Sequence, residues 1–294
     1  MPFKLTQAIP LLFVWLWSTG FIGAKYGLPY IEPFFMLFVR FCIVLVIFWL
    51  LIKIYRSKWI DQKQSWQQIA VGSLIHGGYL GGVFFAIKLG VPAGISAIIV
   101  GLQPIITTLF GRLFLNQSLH KFQIIGLVLG FAGVSLVILE KSSIDASQMS
   151  PLGIVACIIA LLSISAGTIM QKQLASNVPL LTGSFYQYIG AIIVVGLITF
   201  SIEQQTVIYT TQLYIAMAWL IFGLSVFAIL LLLYMIREGE VAKVTSYFYL
   251  VPPAAVIQTW LLFDEKLGVM AIAGSLMTVL GVIFVVKSQS LLTK

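Results

Sequence analysis

Hydrophobic residues gather along this chain in ten runs, and each run is about long enough to cross a lipid bilayer. A membrane-spanning helix needs roughly 20 mostly apolar residues, and charged residues or clusters of glycine and proline separate one run from the next. The predicted spans cover residues 8–25, 33–53, 67–88, 93–112, 121–139, 152–172, 181–201, 213–236, 241–262 and 268–287. This pattern predicts an all-α integral membrane protein with ten transmembrane helices.

The two halves of the chain repeat each other at an offset of about 148 residues. Glycine, serine, lysine and proline positions in the first five runs recur in the same order in the last five. The pairs are Ser18 with Ser165, Gly20 with Gly167, Lys25 with Lys172, Gly90 with Gly239, Ser96 with Thr245, Pro104 with Pro253, Gly126 with Gly274, and Gly133 with Gly281. Matches in a fixed order at nearly one offset indicate a duplication. We therefore expect one five-helix repeat over 1–145 and a second over 146–294, which together form one transmembrane domain.

An odd number of crossings in each repeat inserts the second copy upside down relative to the first. The predicted architecture is therefore two inverted five-helix repeats, related by a pseudo-two-fold axis in the membrane plane. A site at the interface of such repeats can be exposed to either side of the membrane in turn, so this architecture favours a transporter.

Composition and charge support a membrane protein and exclude an ordinary soluble domain. Of the 294 residues, 60% are hydrophobic and 9% are charged, and the mean hydropathy is +1.07. The net charge is +8, but the basic residues lie between the apolar runs, which favours orientation in a lipid bilayer over nucleic-acid binding. With the N-terminus inside, twelve Lys and Arg face the cytoplasm and four face outside, so we expect both termini in the cytoplasm. The first run lacks an Ala-x-Ala-like site, and we expect it to be retained as a helix.

Several stretches resemble the drug/metabolite transporter superfamily, specifically its ten-helix EamA-type members with two EamA repeats. The resemblance rests on residues 17–25 and 93–115, on Arg40 followed by Phe41, on residues 126–133, and on Pro253 with Asp264 and Glu265. Asn116 departs from the pattern, because the family often has a glutamate there. The resemblance implies a multi-pass protein of the bacterial cytoplasmic (inner) membrane that exports amino acids or related metabolites.

Ionisable groups inside the predicted spans are few. None of the nine acidic residues lies deep in a span, which argues against transport coupled through a buried carboxylate. Arg40 is the one charge well inside a span. It could bind a substrate carboxylate, but we favour a structural link to backbone carbonyls or to Glu32. His76 lies near the middle of helix 3, and we expect it to be the membrane-embedded group that titrates near neutral pH. It is a candidate proton carrier or substrate ligand, and a histidine satisfied by a carbonyl is an equal alternative.

Three prolines fall in the middle of helices 4 and 9, at equivalent points of the two repeats: Pro104, Pro252 and Pro253. Proline removes a backbone hydrogen bond, and the freed carbonyl needs a partner at mid-membrane. These helix breaks predict a central cavity. The residues that we expect to bind substrate there are Trp17, Ser18, His76, Tyr79, Gln103, Ser165, Tyr186, Gln187, Tyr247 and Tyr249.

The function that the sequence favours is a secondary transporter for a small neutral or zwitterionic metabolite, amino-acid-like, working by alternating access and exporting its cargo. An uptake carrier or exchanger for another small metabolite, such as a nucleoside or a quaternary amine, stays open. An intramembrane enzyme or a channel is disfavoured, because the chain shows no catalytic or metal-ligand motif and no filter-like segment. We expect no cofactor. The expected partners are a small-molecule substrate and the bilayer, and a homodimer stays possible.

Overall fold

The computed structural model describes residues 5–103, 105–107, 109–110, 121–144, 150–174, 178–228, 231, 250–264 and 268–292. Within them the chain forms ten helices. These are α1 (Leu5–Gly27), α2 (Pro33–Tyr55), α3 (Gln62–Lys88), α4 (Ala93–Val100), α5 (Lys121–Ile144), α6 (Pro151–Leu174), α7 (Leu180–Ile202), α8 (Thr211–Ala228), α9 (Val251–Phe263) and α10 (Val269–Leu292). Their order confirms the predicted all-α class with ten helices.

The helices are apolar on their outer surfaces as well as inside. Five of them, α2, α3, α6, α7 and α8, are long and apolar enough by length and composition to cross a membrane. Large aliphatic side chains such as Ile54, Leu197 and Leu276 are more than 60% exposed. A surface of this kind is stable in lipid and not in water, because lipid tails are as apolar as leucine.

Helix α3 begins five residues before the span that hydropathy predicts. Asp61 starts it with a capping box: its carboxylate accepts from the backbone N–H of Gln64 at 2.8 Å, and the Gln64 side chain accepts from the backbone N–H of Asp61 at 3.4 Å. A capping box satisfies two N–H groups that a helix start leaves open. The polar first turn of α3 therefore extends the rod beyond its apolar part.

Repeat-equivalent helices pack against each other in opposite directions. In α5 and α10, a Cβ added at Gly133 would lie 2.4 Å from the carbonyl oxygen of Gly274, and one added at Gly281 would lie 2.6 Å from that of Gly126. Residue numbers increase along α5 in the direction in which they decrease along α10, so the two helices are antiparallel. The glycines let the two backbones approach closely.

Helices α2 and α7 show the same antiparallel pairing. Phe38 and Phe200 are in contact near one end, with ring centroids 5.1 Å apart, and the hydroxyls of Ser57 and Thr182 lie 3.1 Å apart at the other end. If both repeats had one orientation, these equivalent helices would run in parallel. The pairing confirms that the two repeats are inverted.

Two π-helical segments interrupt the α-helical rods, at equivalent positions of the two repeats. Ser73–Gly78 lies within α3, and Trp219–Ala228 lies within α8. Such segments are rare in proteins as a whole. Those that do occur often lie at functional sites. The sequence pattern did not predict them, and they border the cavity described next.

Candidate substrate cavity

A cavity of about 110 Å³ lies between the two π-helical segments. Six helices line it, three from each repeat: α1, α2 and α3, and α6, α7 and α8. The lining residues are Trp17, Gly20, Phe21, Arg40, Ile75, His76, Tyr79, Leu80, Val83, Phe84, Ile164, Tyr188, Leu224 and Ser225. His76 is 14 residues from the start of α3 and 12 from its end, so the cavity lies near the middle of the bundle.

Arg40 is the charged residue of this cavity wall. It is 5% exposed, and its Nε and Nη2 donate to the Ser225 hydroxyl at 3.2 and 2.9 Å. Glu32, which we expected as a partner, instead accepts from the backbone N–H of Thr206 at 3.0 Å. No carboxylate of the described residues forms an ion pair with Arg40. The arginine therefore joins α2 to α8 across the cavity through a neutral hydroxyl.

Aromatic rings form another part of the cavity wall. The His76 ring stacks on Tyr188, with centroids 4.8 Å apart and planes at 8°. Tyr188 is 2% exposed and also contacts Phe41 and Phe48, each at 5.5 Å between centroids. Because Tyr188 packs on three rings, its position and that of His76 are fixed by the core. Trp17, Phe21, Tyr79 and Phe84 complete the aromatic lining.

Of the substrate-binding residues expected from sequence, the structure brings Trp17, His76 and Tyr79 together in this cavity. Ser18 lies outside the lining. It is fully buried, and its hydroxyl lies 3.0 Å from Oε1 of Gln258, whose Nε2 donates to the Trp15 carbonyl at 2.9 Å. These bonds join α1 to α9. Ser18 thus connects two helices of different repeats.

Gln103, Ser165, Tyr186 and Gln187 also lie outside the cavity lining. Gln103 Nε2 donates to the Thr168 hydroxyl at 2.8 Å, and the Ser165 hydroxyl donates to the Leu161 carbonyl at 2.7 Å. Tyr186 packs edge-on against Trp59, with centroids 6.3 Å apart. The Gln187 side chain donates to Gln68 and to Gln171, each at 2.7 Å, and so joins α7 to α3 and α6.

The prolines lie beside a different cavity. Pro252 and Pro253 line a groove of about 170 Å³ between α4, α9 and α10, together with Gly101 and Thr278. Both prolines stand in the first turn of α9 as the structure describes it, where a missing N–H costs no helical hydrogen bond. Pro104, Tyr247 and Tyr249 lie outside the described residues. Flanking side chains such as Ile257, 48% exposed, open this groove toward the surface of the bundle.

Two residues of the cavity wall, Tyr188 and Ser225, were missed by the sequence reasoning. The repeat offset is the signal that could have found them. Tyr188 follows Arg40 by 148 residues, and Ser225 follows His76 by 149. Trp17 and Ile164, both in the lining, are related by 147. The duplication thus pairs the positions of the cavity wall.

The residues that the structure describes contain no candidate metal site. Among the residues that the structure describes, no three of His, Cys, Asp and Glu cluster in a way that could hold an ion. Cys42 and Cys157 are free thiols, and the Cys157 sulfur contacts the Ser96 hydroxyl at 3.6 Å in the core.

Sequence comparison decides the family. The EamA-like transporter family matches residues 8–139 and again residues 151–287, one match in each repeat. The chain belongs to the EamA-like transporter family. As in the resemblance drawn from its motifs, this EamA protein carries the domain twice.

Relatives of this EamA protein are named as transporters. It is 26% identical to "Uncharacterized transporter YvbV" of Bacillus subtilis, over 97% of this chain and 92% of that protein. It is 25% identical to "Probable amino-acid metabolite efflux pump" of Escherichia coli, over 93% of this chain and 92% of that protein. One solved crystal structure shares the fold with a TM-score of 0.63 at 17% identity, covering 94% of each chain.

Proposed function

We propose that this EamA protein is a secondary transporter that exports a small neutral or zwitterionic metabolite, amino-acid-like, across the bacterial cytoplasmic membrane by alternating access. The observation that carries the proposal is the cavity between the two π-helical segments, lined by three helices of each inverted repeat. A cavity shared by inverted repeats can open to either side when the repeats exchange conformations. The name of the Escherichia coli relative, an amino-acid metabolite efflux pump, supports export.

The lining of the cavity supports a cargo without a net positive charge. Arg40 supplies one positive charge, and none of the lining residues that the structure describes is acidic. A cationic cargo would have to approach Arg40 without a compensating carboxylate, which is unfavourable where the dielectric constant is low. The aromatic faces of Trp17, Tyr79 and Tyr188 suit the apolar part of a metabolite.

Hydrogen bonds between the two repeats join two loops at one end of the bundle. Glu203, at the end of α7, accepts from the backbone N–H groups of Phe34 and Phe35 at 3.0 and 2.8 Å. The backbone N–H of Ile208 donates to the Tyr30 carbonyl at 2.8 Å. In the orientation expected from the Lys and Arg count, these contacts lie on the periplasmic side. They support a conformation that is closed outside, and the transport cycle requires that they break.

Counterflow into proteoliposomes tests the proposal. Vesicles containing the purified protein are loaded with a mixture of the proteinogenic L-amino acids, and uptake of each radiolabelled amino acid is measured. We expect accumulation above the external concentration for at least one of them. Uptake that never exceeds equilibrium with the medium would indicate a channel, and a chemically altered amino acid would indicate an enzyme. Either result would contradict the proposal, as would the absence of uptake for all of them.

Gly20 offers a matched pair of variants for this assay. A Cβ added there meets its nearest neighbour, Leu224 Cδ2, at an ordinary 3.7 Å, and Gly20 lines the cavity. We expect Gly20→Ala to transport and Gly20→Phe to lose counterflow, because the larger ring fills the cavity. Direction is then read in cells, where expression should lower the internal level of an exported amino acid and raise that of an imported one.

A further inference from the structure

The guanidinium of Arg40 is only partly satisfied by the protein. An arginine side chain carries five N–H donors. One from Nε and one from Nη2 are directed to the Ser225 hydroxyl, and the other three have no acceptor among the residues that the structure describes. Within the same residues, the fully buried side-chain polar atoms without a partner are Gln68 Nε2 and Thr107 Oγ1. The remaining donors of Arg40 are therefore open to the cavity that it lines.

Arg40 is a buried cation that contacts no anion among the residues that the structure describes, and the surrounding wall does not compensate its charge. Arg40 is 5% exposed, and its neighbours in the lining are aromatic, aliphatic or neutral polar residues. The described acids are committed elsewhere: Glu32 and Glu203 cap backbone N–H groups at the loop ends. A buried charge that lacks its partner is strongly destabilising. An anionic group on the cargo would supply the partner.

We propose that Arg40, positioned by Ser225, is the subsite for a carboxylate of the cargo, so that the transported metabolite is a monocarboxylic acid of the α-amino-acid kind. This inference rests on the proposed transport function and names its substrate class. A planar guanidinium with adjacent free N–H groups matches the two oxygens of a carboxylate.

A carboxylate fits this subsite better than a phosphate does. A phosphate monoester carries about −1.5 to −2 charges at neutral pH, and among the described lining residues Arg40 supplies one positive charge. The excess negative charge would remain buried without a partner. The ammonium of an amino acid has no acid in the described part of the lining to pair with, and the faces of Trp17 and Tyr79 would contact it through cation–π attraction.

The test compares each acid with its own amide. The melting temperature of the purified full chain in detergent is measured with each proteinogenic L-amino acid and with the corresponding amino-acid amide, which keeps the ammonium and side chain but lacks the negative charge. Ligand binding to the native state raises the melting temperature. We expect at least one acid to raise it and its amide to leave it unchanged.

The two proposals fail in different ways in this experiment. If an acid and its amide stabilise the protein equally, the carboxylate subsite is wrong and the transport proposal stands. If no acid and no amide stabilises it, both the subsite and the amino-acid cargo are wrong.

Variants of Arg40 test whether the preference for acid over amide depends on this residue. Arg40→Gln should weaken binding of the acid by about tenfold to hundredfold, the range for losing one hydrogen bond to a charged group, and should abolish the preference for acid over amide. Arg40→Lys keeps the charge without the planar pair of donors and should keep part of the preference. Arg56→Gln, the same change at an exposed position at the end of the same helix, is the matched control and should behave like the wild type.

The preference for acid over amide is the decisive readout, because a merely structural role of Arg40 would not change it. If Arg40→Gln fails to fold, Arg40→Lys and Ser225→Ala carry the same comparison. Ser225→Ala removes the acceptor that orients the guanidinium and should reduce the preference. An unchanged preference in every Arg40 and Ser225 variant that folds would overturn the proposal.

Discussion

Gly190 of α7 lies directly against the backbone of α3, and replacing it with alanine should destabilise the protein. An added Cβ would lie 2.0 Å from the Ile69 carbonyl oxygen and 2.9 Å from both the Ile69 carbonyl carbon and the Ser73 hydroxyl. Ordinary contacts begin at 3.4 Å, and the closest neighbour is backbone that cannot rotate away. The two helices would have to separate, and the bond from Ser73 to the Gly190 carbonyl at 3.3 Å would lengthen.

The magnitude follows from comparison with Gly20→Ala, where the new methyl group meets no atom closer than 3.7 Å. Both substitutions gain about 1 kcal/mol of helix propensity, so this gain cancels in the difference. Overpacking of a close contact costs about 1–3 kcal/mol. The contact at Gly190 is with backbone, so we expect Gly190→Ala to be about 3 kcal/mol less stable than Gly20→Ala.

Unfolding in mixed micelles of dodecyl maltoside and SDS, followed by helical circular dichroism, measures this difference. The free energy of unfolding is compared for the wild type and both variants at several SDS mole fractions. Equal stability of the two alanine variants would refute the close approach of α3 and α7. A Gly190→Ala variant more stable than the wild type would refute it more strongly, since the propensity gain would then act without a clash.

Three further predictions address the periplasmic closure, the orientation and the titratable histidine. Glu203→Gln should lower the free energy of unfolding by about 1–2 kcal/mol, because the charge-assisted bonds to the α2 N-terminus are weakened. Chemical denaturation measures this free energy, and an unchanged value would contradict the capping of α2 by Glu203. In a background without Cys42 and Cys157, a cysteine introduced by Gln62→Cys should react with an impermeant maleimide only from the cytoplasm. One introduced by Gln204→Cys should react only from outside, and reversed labelling would refute the orientation. If His76 carries a proton, with Arg40, Tyr79 and Tyr188 as the other ionisable groups around it, His76→Gln should remove the pH dependence of counterflow. An unchanged profile excludes that role.

The fold could be predicted from sequence because its determinants are local. The length of each apolar run fixes a span, and the loop residues fix its ends. Helix α7, for instance, occupies Leu180–Ile202 where hydropathy predicts 181–201. The inverted orientation followed from the odd number of spans in each repeat. The crossing of α5 and α10 uses the same glycines that revealed the duplication, Gly126 and Gly133 with Gly274 and Gly281.

The cavity could be predicted only in part, because helices that are apolar on every face carry no periodic signal of which side faces the neighbours. Trp17, His76 and Tyr79 were identified by residue type and depth. Gln103 and Ser165 have similar depth, but they form other interhelical or backbone bonds. Pro252 and Pro253 line a different cavity, because the lateral position of a residue depends on which helices pack together. The π-helical segments also shift the phase of the side chains that follow them.

The cavity combines a symmetric frame with asymmetric chemistry. Equivalent positions of the two repeats line it: Arg40 and Tyr188 are related by 148 residues, and His76 and Ser225 by 149. Neither pair keeps its chemistry. The charged Arg40 of the first repeat corresponds to the phenol of Tyr188 in the second. The imidazole of His76 corresponds to the hydroxyl of Ser225. In the proposed transporter, the frame would allow the repeats to exchange conformations, and the difference between the paired residues would give the cargo a defined direction in the cavity. Such a wall suits a molecule with one charged end and one apolar end, which is the shape of the carboxylic acid that Arg40 would bind.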